Sequence, residues 1–333
     1  CVQVVQELVN YYHVTAVLCT ATQPSLDQFF TTKPKEICTN IEGLYNFFRR
    51  VKFKTINLDD TEALIDKLNE QKQVLCIVNS KKTAQQVYDG LRGEGCYHLS
   101  TFMYPAHRKN VLEEVKARLK ADLPCKLIAT SLVEAGVDVD FPTVFRELAG
   151  LDSIIQAAGR CNRENKRSID ESIVYVFELQ DSGKKIPSFV RQPREVAQMI
   201  IRDFADIASV EAIKKYFDRL HDYKGESLDL HNIISRSNDL PFSDIADDFK
   251  LIADTGRSVF IPCNEKNKEL LAQLREGVRN RSLLRKAGKY VINVYENQFL
   301  KLQGIGAIEV LDENISILID EKLYAAHKGL LVD

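Results

Sequence analysis

Val74 to Val78 reads VLCIV, an apolar run without polar alternation. A strand with one wet face alternates apolar and polar side chains, whereas an unbroken run suits a strand covered on both faces, as in a parallel sheet between helices. Val14 to Cys19 (VTAVLC), Leu127 to Ala129, Val144 to Phe145 and Ile173 to Phe177 supply further runs of this kind. Helical spacing lies between them. Ala84, Val87, Tyr88 and Leu91 fall at i, i+3, i+4 and i+7 in a helix expected to stop at Gly93, and Val111, Val115 and Leu119 recur at four-residue steps. Such alternation predicts an α/β first half built on a doubly wound parallel sheet.

The pattern changes near Asp181. Pro187 and Pro193 flank a polar stretch, followed by two helices with packing stripes Val196, Met199, Ile200, Phe204, Ile207 and Ile213, Tyr216, Phe217, Leu220. A loop-rich segment from Asp222 to Asp248 precedes a strand at Val259 to Ile261 and a basic helix from Asn267 to Arg281. Strands are predicted at Val291 to Tyr295, Gly306 to Val310 and Ile315 to Ile319. This half reads as a smaller α+β domain. We find no internal repeat and no low-complexity tract.

A chain of 333 residues is long enough for two cores. Its net charge of -2 gives no bulk positive field, so any nucleic-acid contact must be local to a groove. The eight cysteines, at 1, 19, 38, 76, 96, 125, 161 and 263, include no C-x-x-C. That spacing argues against a zinc site or a disulfide framework and for a reducing, cytoplasmic compartment, with Cys19 and Cys76 as small buried hydrophobes. No apolar run reaches the roughly 18 residues that span a bilayer. Because Cys1 opens inside what reads as a helix, we expect a piece of a longer protein.

In a doubly wound sheet, ligand-binding residues lie past the carboxyl ends of the strands. Thr20 and Thr22, Asn79 and Ser80, and Thr130 and Ser131 occupy such positions. Ser80 also suits a helix N-cap, and a capped terminus still presents free N–H groups to an anion. Gln156 to Arg163 (QAAGRCNR) has the form Q-x-x-G-R-x-x-R. Read as a helix's first turn, it places both guanidiniums on one face, where they can grip a phosphate in two-point fashion while glycine admits close backbone approach.

Phe47 to Lys54 alternates aromatic and basic residues, which fits either a single-strand binder or an edge strand with a solvated face. His107-Arg108 reads equally as a solvated first turn of a helix. His221-Asp222 lacks companion histidines at ligand spacing, so no metal site is expected.

The ordered set Thr20 to Thr22, Ile77 to Leu91, Leu99 to Arg108, Ala129 to Phe141 and Gln156 to Arg163 resembles the second half of a superfamily 2 helicase. More narrowly, GLDSIIQAAGRCNRE, the long segment after it and the closing LYAAHKGL resemble the CRISPR-associated helicase-nuclease of type I systems. The resemblance implies a RecA-like, P-loop NTPase-type sheet followed by a smaller α+β domain. Residues 1–24 would end the first RecA-like lobe, 25–185 would form the second, and 186–333 a C-terminal accessory domain.

The same resemblance implies roles. Arg160 and Arg163 resemble the γ-phosphate arginines, with Gln156 positioning them; Gly136, Asp138 and Gly159 belong to the nucleotide side, Asp138 meeting the ribose or linking to Arg163. Asn79, Ser80, Ser100, Thr101, Thr130 and Ser131 would hold a strand's phosphates, and Thr20 and Thr22 would couple nucleotide state to grip. Ala157 departs from the arginine that many relatives have there. The implied cofactor is ATP with Mg, held mostly by a first lobe, because no G-x-x-x-x-G-K-[ST] and no Asp-Glu motif ahead of Thr20 occur here. The implied partners are single-stranded DNA, a type I CRISPR surveillance complex, and the first lobe and metal-dependent His-Asp nuclease that this sequence lacks; no membrane is implied. A non-catalytic binding module and an RNA helicase lobe stand as alternatives.

Overall fold

The computed structural model describes residues 1–179, 188–229, 231–249, 256–262, 265–278 and 280–331. In chain order the first elements are α1 (Val2–Tyr11), α2 (Ile41–Phe47), β1 (Lys52–Leu58), α3 (Thr61–Asn69), β2 (Gln73–Ile77), α4 (Lys81–Gly90), β3 (Cys96–Leu99) and α5 (Pro105–Lys120). They continue with β4 (Cys125–Ala129), β5 (Thr143–Glu147), α6 (Leu151–Ala158) and β6 (Ile173–Leu179). The six strands form one parallel sheet in the order β1-β6-β5-β2-β4-β3.

The unbroken VLCIV run has its explanation in two cores. Leu75 and Ile77 join Leu99, Leu127, Phe141 and Val144 on one face, while Val74, Cys76 and Val78 join Leu64, Leu68, Val87 and Phe177 on the other. Side chains alternate across a strand, so a strand between two helix layers needs apolar residues at every position. Each fully buried Leu or Ile contributes on the order of 1.5–3 kcal/mol relative to exposure.

Then follow α7 (Ser188–Asp203), α8 (Val210–Lys224), α9 (Ile233–Arg236), α10 (Phe242–Asp248), β7 (Gly256–Phe260), α11 (Glu265–Arg275), α12 (Arg281–Ala287) and β8 (Val291–Tyr295). The chain closes with α13 (Glu296–Gly304), β9 (Ile308–Val310), β10 (Ser316–Leu318), β11 (Tyr324–Ala325) and β12 (Gly329–Leu330). Helices α7 and α8 pack Val196, Ile200, Ile213 and Tyr216 against Leu151 and Ile154 of α6. A second, mixed sheet runs β8-β7-β10-β9.

The β11–β12 hairpin fastens this sheet to the first one. Leu330 N donates to Phe102 O at 2.9 Å, and Phe102 itself sits in the second sheet's core. Tyr324 stacks on Tyr104 with ring centroids 5.2 Å apart, and its hydroxyl lies 2.7 Å from His107 Nδ1. At Gly329 φ is +79° and a Cβ would meet Phe102 O at 2.3 Å, so only glycine fits.

Several expectations differ. Val14 to Cys19 is not a strand and Cys19 is exposed, because among the described residues no strand lies beside the run to pair its backbone groups. Pro193 lies inside α7 rather than ahead of it. The basic helix from Asn267 to Arg281 is two helices, broken where Gly277 adopts φ +81°. Of Phe47 to Lys54, only the part from Lys52 is strand, β1 at the sheet's edge, and Phe47 is 77% exposed. His107 and Arg108 are half-buried rather than solvated. Strand β3 and helix α13 were not anticipated. Among the described residues no His/Cys/Asp/Glu group could hold a metal, and no helix is long and apolar enough to cross a membrane. Asp181, Pro187 and Cys263 lie outside the described residues.

Candidate nucleotide and nucleic-acid site

Three strands that neighbour one another, β2, β4 and β3, end at the same edge, which brings Asn79, Ser80, Thr130, Ser131, Ser100 and Thr101 together. They are not equally available. Ser80 caps α4, its hydroxyl accepting from Thr83 N at 3.0 Å. Ser100 is fully buried and its hydroxyl accepts from Phe102 N at 3.2 Å. Asn79 donates from Nδ2 to Leu148 O at 2.9 Å and accepts from Arg146 at 2.8 Å, so both ends of its amide are engaged. Thr130 is buried, Ser131 exposed, and Thr101 half-buried.

Thr101 lines a cleft of about 780 Å³ between the two sheets, together with Lys81, Arg108, Ser258, Asn293 and Tyr295. The Lys81 ammonium lies 4.1 Å from the Phe102 ring centroid and 4.9 Å from that of Tyr295, a cation between two aromatic faces. Burial lowers the pKa values of Lys81 and Arg108 below their ordinary ones. Two partly desolvated cations facing one cleft suit an anionic backbone.

The octapeptide Gln156 to Arg163 straddles the end of α6 instead of opening a helix. Gln156 is half-buried on the helix, Gly159 is its C-cap, and both arginines follow in a turn. Asn162 builds that turn. It takes φ +46°, which asparagine tolerates, and its buried amide donates to Arg50 O and Arg167 O and accepts from Arg167 N, at 3.0, 2.9 and 3.0 Å respectively. As a result the two guanidiniums part. Arg163 stays at the surface, donating from Nε to Asp138 Oδ1 at 2.9 Å. Arg160 turns inward, donating from Nε to Val133 O at 2.9 Å and from Nη2 to Glu134 O at 2.6 Å. Its pKa is lowered, first by burial and then by the Arg163 charge. Ala157 is fully buried in the core, where an arginine would have no water.

Thr20, Gly159 and Arg163 line a cleft of about 920 Å³ with Arg49, Arg50, Phe53 and Asp206. The Thr20 hydroxyl donates to Thr22 O at 3.0 Å, and Thr22 is buried. Gly136 takes φ +70° with open space about it. An exposed guanidinium steadied by a carboxylate, beside a glycine, fits an anionic nucleotide.

Residues 70–166 match the profile of a family described as CRISPR-associated nuclease/helicase Cas3, C-terminal. Over that stretch this chain is similar to the C-terminal part of Cas3 nuclease/helicases. A Cas3 nuclease/helicase of Haloferax volcanii is 40% identical over 83 residues, 25% of this chain and 9% of that protein. One from Methanothermobacter thermautotrophicus is 28% identical over 118 residues, 35% of this chain and 14% of the relative. The matched stretch is therefore a small part of either relative's length.

The solved structure of T. fusca Cas3 with AMPPNP aligns over 84% of this chain and 42% of its own, with TM-score 0.54 and 15% identity. A CRISPR RNA-guided surveillance complex in a pre-nicking state contains a chain aligning over 85% and 44%, with TM-score 0.51 and 14% identity. The shared fold thus extends beyond the Cas3-like segment of residues 70–166, and is a mixed α/β arrangement with a six-stranded parallel sheet.

One group inside the Cas3-like segment escaped sequence reasoning. Arg146 stands 3.0 Å from Glu134 Oε1, and both are buried. That contact is ionic, without hydrogen-bond alignment at Nε. The hydrogen bonds lie elsewhere: Arg146 Nη2 donates to Ser153 Oγ at 2.9 Å, and Ser153 Oγ donates to Glu134 Oε2 at 2.7 Å. Burial raises the Glu134 pKa, with Arg146 opposing, and burial lowers that of Arg146. Glu147 closes the group by accepting from Asn79 N at 2.7 Å. The available signal was an arginine directly after the apolar Val144-Phe145 run.

Proposed function

We propose that this chain is the second motor lobe and C-terminal accessory part of an ATP-driven single-strand DNA translocase coupled to a nuclease in cytoplasmic, antiviral CRISPR interference. The observation that carries the reading is the exposed Arg163 guanidinium, held by Asp138 beside Gly159 and Thr20 on one cleft, within a Cas3-like segment. In this reading residues 1–24 end the first lobe, 25–185 form the second and 186–333 the accessory domain. A first lobe outside this sequence supplies the phosphate loop and Mg.

Arg163 and Arg160 meet the γ-phosphate, with Gln156 as positioning partner, while Gly136, Asp138 and Gly159 shape the nucleotide side. Guanidinium contacts neutralise charge on the transferring phosphoryl group; in arginine-finger systems one such residue contributes on the order of 10³ to 10⁵ in rate. Hydrolysis removes the attraction, so the lobes open and close with each cycle. Ser131, Thr130, Thr101 and the N–H groups of the α4 terminus capped by Ser80 hold the strand's phosphates without reading bases, as a motor on any sequence requires. Asn79 and Ser100 support these turns from behind. In this reading the docking partner is a type I surveillance complex; a solved CRISPR RNA-guided surveillance complex contains a similarly folded chain.

The test is ATP hydrolysis and binding by the intact protein with single-stranded DNA, RNA and duplex at two salt concentrations. Stimulation by single-stranded DNA is expected. Stimulation by RNA alone would make the chain part of an RNA helicase, and binding without turnover would make it a docking module.

A further inference from the structure

The two arginines assigned to one phosphate are held in opposite ways. Arg163 reaches the surface, whereas Arg160 is 7% exposed and bound to two main-chain carbonyls, those of Val133 and Glu134. Those carbonyls belong to residues 130–138, which begin at Thr130 and Ser131 and end at Asp138. The segment is fastened from both sides. Arg160 holds its backbone, while the Glu134 side chain is held by Arg146 and Ser153, and Arg146 reaches on to Asn79. Asp138 is held in turn by Arg163.

Carbonyl oxygens are neutral acceptors and a terminal phosphate is a multiply charged one. The guanidinium brings its charge to either acceptor, but a phosphate adds an opposite charge and a pair of oxygens for two-point contact, so a phosphate within reach outcompetes carbonyls for the same donors. When the donors leave, the two carbonyls lose their partners, and the loop conformation that depended on them loses its fastening.

We infer that Arg160 is a positioning switch, which holds segment 130–138 through the carbonyls of Val133 and Glu134 without nucleotide and releases it on moving to the γ-phosphate. This rests on the function proposed above. Nucleotide state thereby reaches Thr130 and Ser131 through one side chain. The coupling is reciprocal: a strand that binds the released segment favours the outward move of Arg160 to the γ-phosphate, in keeping with hydrolysis stimulated by single-stranded DNA, and ATP strengthens that grip.

Hydrogen exchange on the intact protein tests it, with ATP hydrolysis measured on the same variants. In the unsubstituted protein, amides 131–137 should exchange about tenfold faster with a saturating non-hydrolysable ATP analogue than with ADP or no nucleotide, the scale set by the net loss of the two hydrogen bonds from Arg160. Arg160→Ala should exchange fast in all three states. Arg163→Ala, which leaves both carbonyls satisfied, should stay slow without nucleotide. Unchanged exchange in β2 and β4 establishes that the variants fold; should Arg160→Ala not fold, Arg160→Gln is read in its place.

Slow exchange in nucleotide-free Arg160→Ala, or no response of the unsubstituted protein to the analogue, overturns the switch even where hydrolysis is lost. Undiminished hydrolysis by Arg160→Ala instead overturns the phosphate role on which the switch rests.

Discussion

Arg146 and Glu134 stand 3.0 Å apart with side chains only 2% and 9% exposed, and between them they tie two loops of the sheet's carboxyl edge to helix α6. Arg146 reaches Asn79 after β2, Glu134 lies after β4, and Ser153 on α6 bridges the two. Removing one member of a buried pair leaves the other charge without compensation. Arg146→Met should therefore cost about 3–5 kcal/mol of unfolding free energy. Arg146→Met with Glu134→Leu should recover a large part of it, since no unpaired charge remains. Urea denaturation of the single and double variants checks this, and equal losses in both would refute it.

Arg163 offers a kinetic test. In the intact protein Arg163→Ala should lower DNA-stimulated ATP hydrolysis on the order of 10³-fold or more, with strand affinity changed only a few-fold. Arg163→Lys should remain impaired, because an ammonium cannot make the planar, two-point contact. Steady-state rates and fluorescence-anisotropy titrations read both quantities. Parallel loss of hydrolysis and binding would contradict a role confined to phosphate.

His98 provides a pH test. It is 1% exposed, neither ring nitrogen has a hydrogen-bond partner among the described residues, and Tyr88, Asp89, His107, His327 and Lys328 surround it. Burial, then the Lys328 charge, pushes its pKa from 6.5 down to about 4. The unfolded chain takes up the proton near pH 6.5 and the folded one only near pH 4, so between those values the unfolded state binds more protons. Stability from this site is complete above pH 6.5 and falls by about 3 kcal/mol as the pH drops toward 4. His98→Leu should show a correspondingly smaller loss between pH 7.5 and pH 4 in urea midpoints. Identical pH profiles would sink the assignment.

Ser80 separates a structural role from a binding one. Ser80→Ala removes the α4 cap and should cost about 1 kcal/mol of stability. Ser80→Asp keeps the cap and places a negative charge where a strand phosphate is proposed to lie. Thermal melts should find the aspartate variant near the unsubstituted protein, while anisotropy finds its single-strand affinity reduced several-fold. Unreduced affinity would confine Ser80 to capping.

The sheet was legible because its cause is local. A strand such as β2, covered on both faces, must be apolar at every position, and α4 and α5 must repeat their apolar residues at helical spacing. Periodicity therefore determined the α/β class and the strand ends that carry Asn79, Ser80, Thr130 and Ser131. Val14 to Cys19, which is not a strand, shows the limit of that logic: composition supplies an apolar run, but a strand exists only beside another strand.

For the site, the sequence by itself determined which residue types could meet phosphate, through the spacing of Gln156, Gly159, Arg160 and Arg163. It could not determine where the side chains point. That was decided by the turn at Asn162 and by acceptors distant in sequence, Asp138 for Arg163 and the Val133 and Glu134 carbonyls for Arg160. The buried Arg146–Glu134 pair and the Gly329–Phe102 junction were likewise settled only in three dimensions. Local pattern encodes the periodicity of elements, whereas the desolvation of a charge and the partner that compensates it depend on which elements the fold brings together.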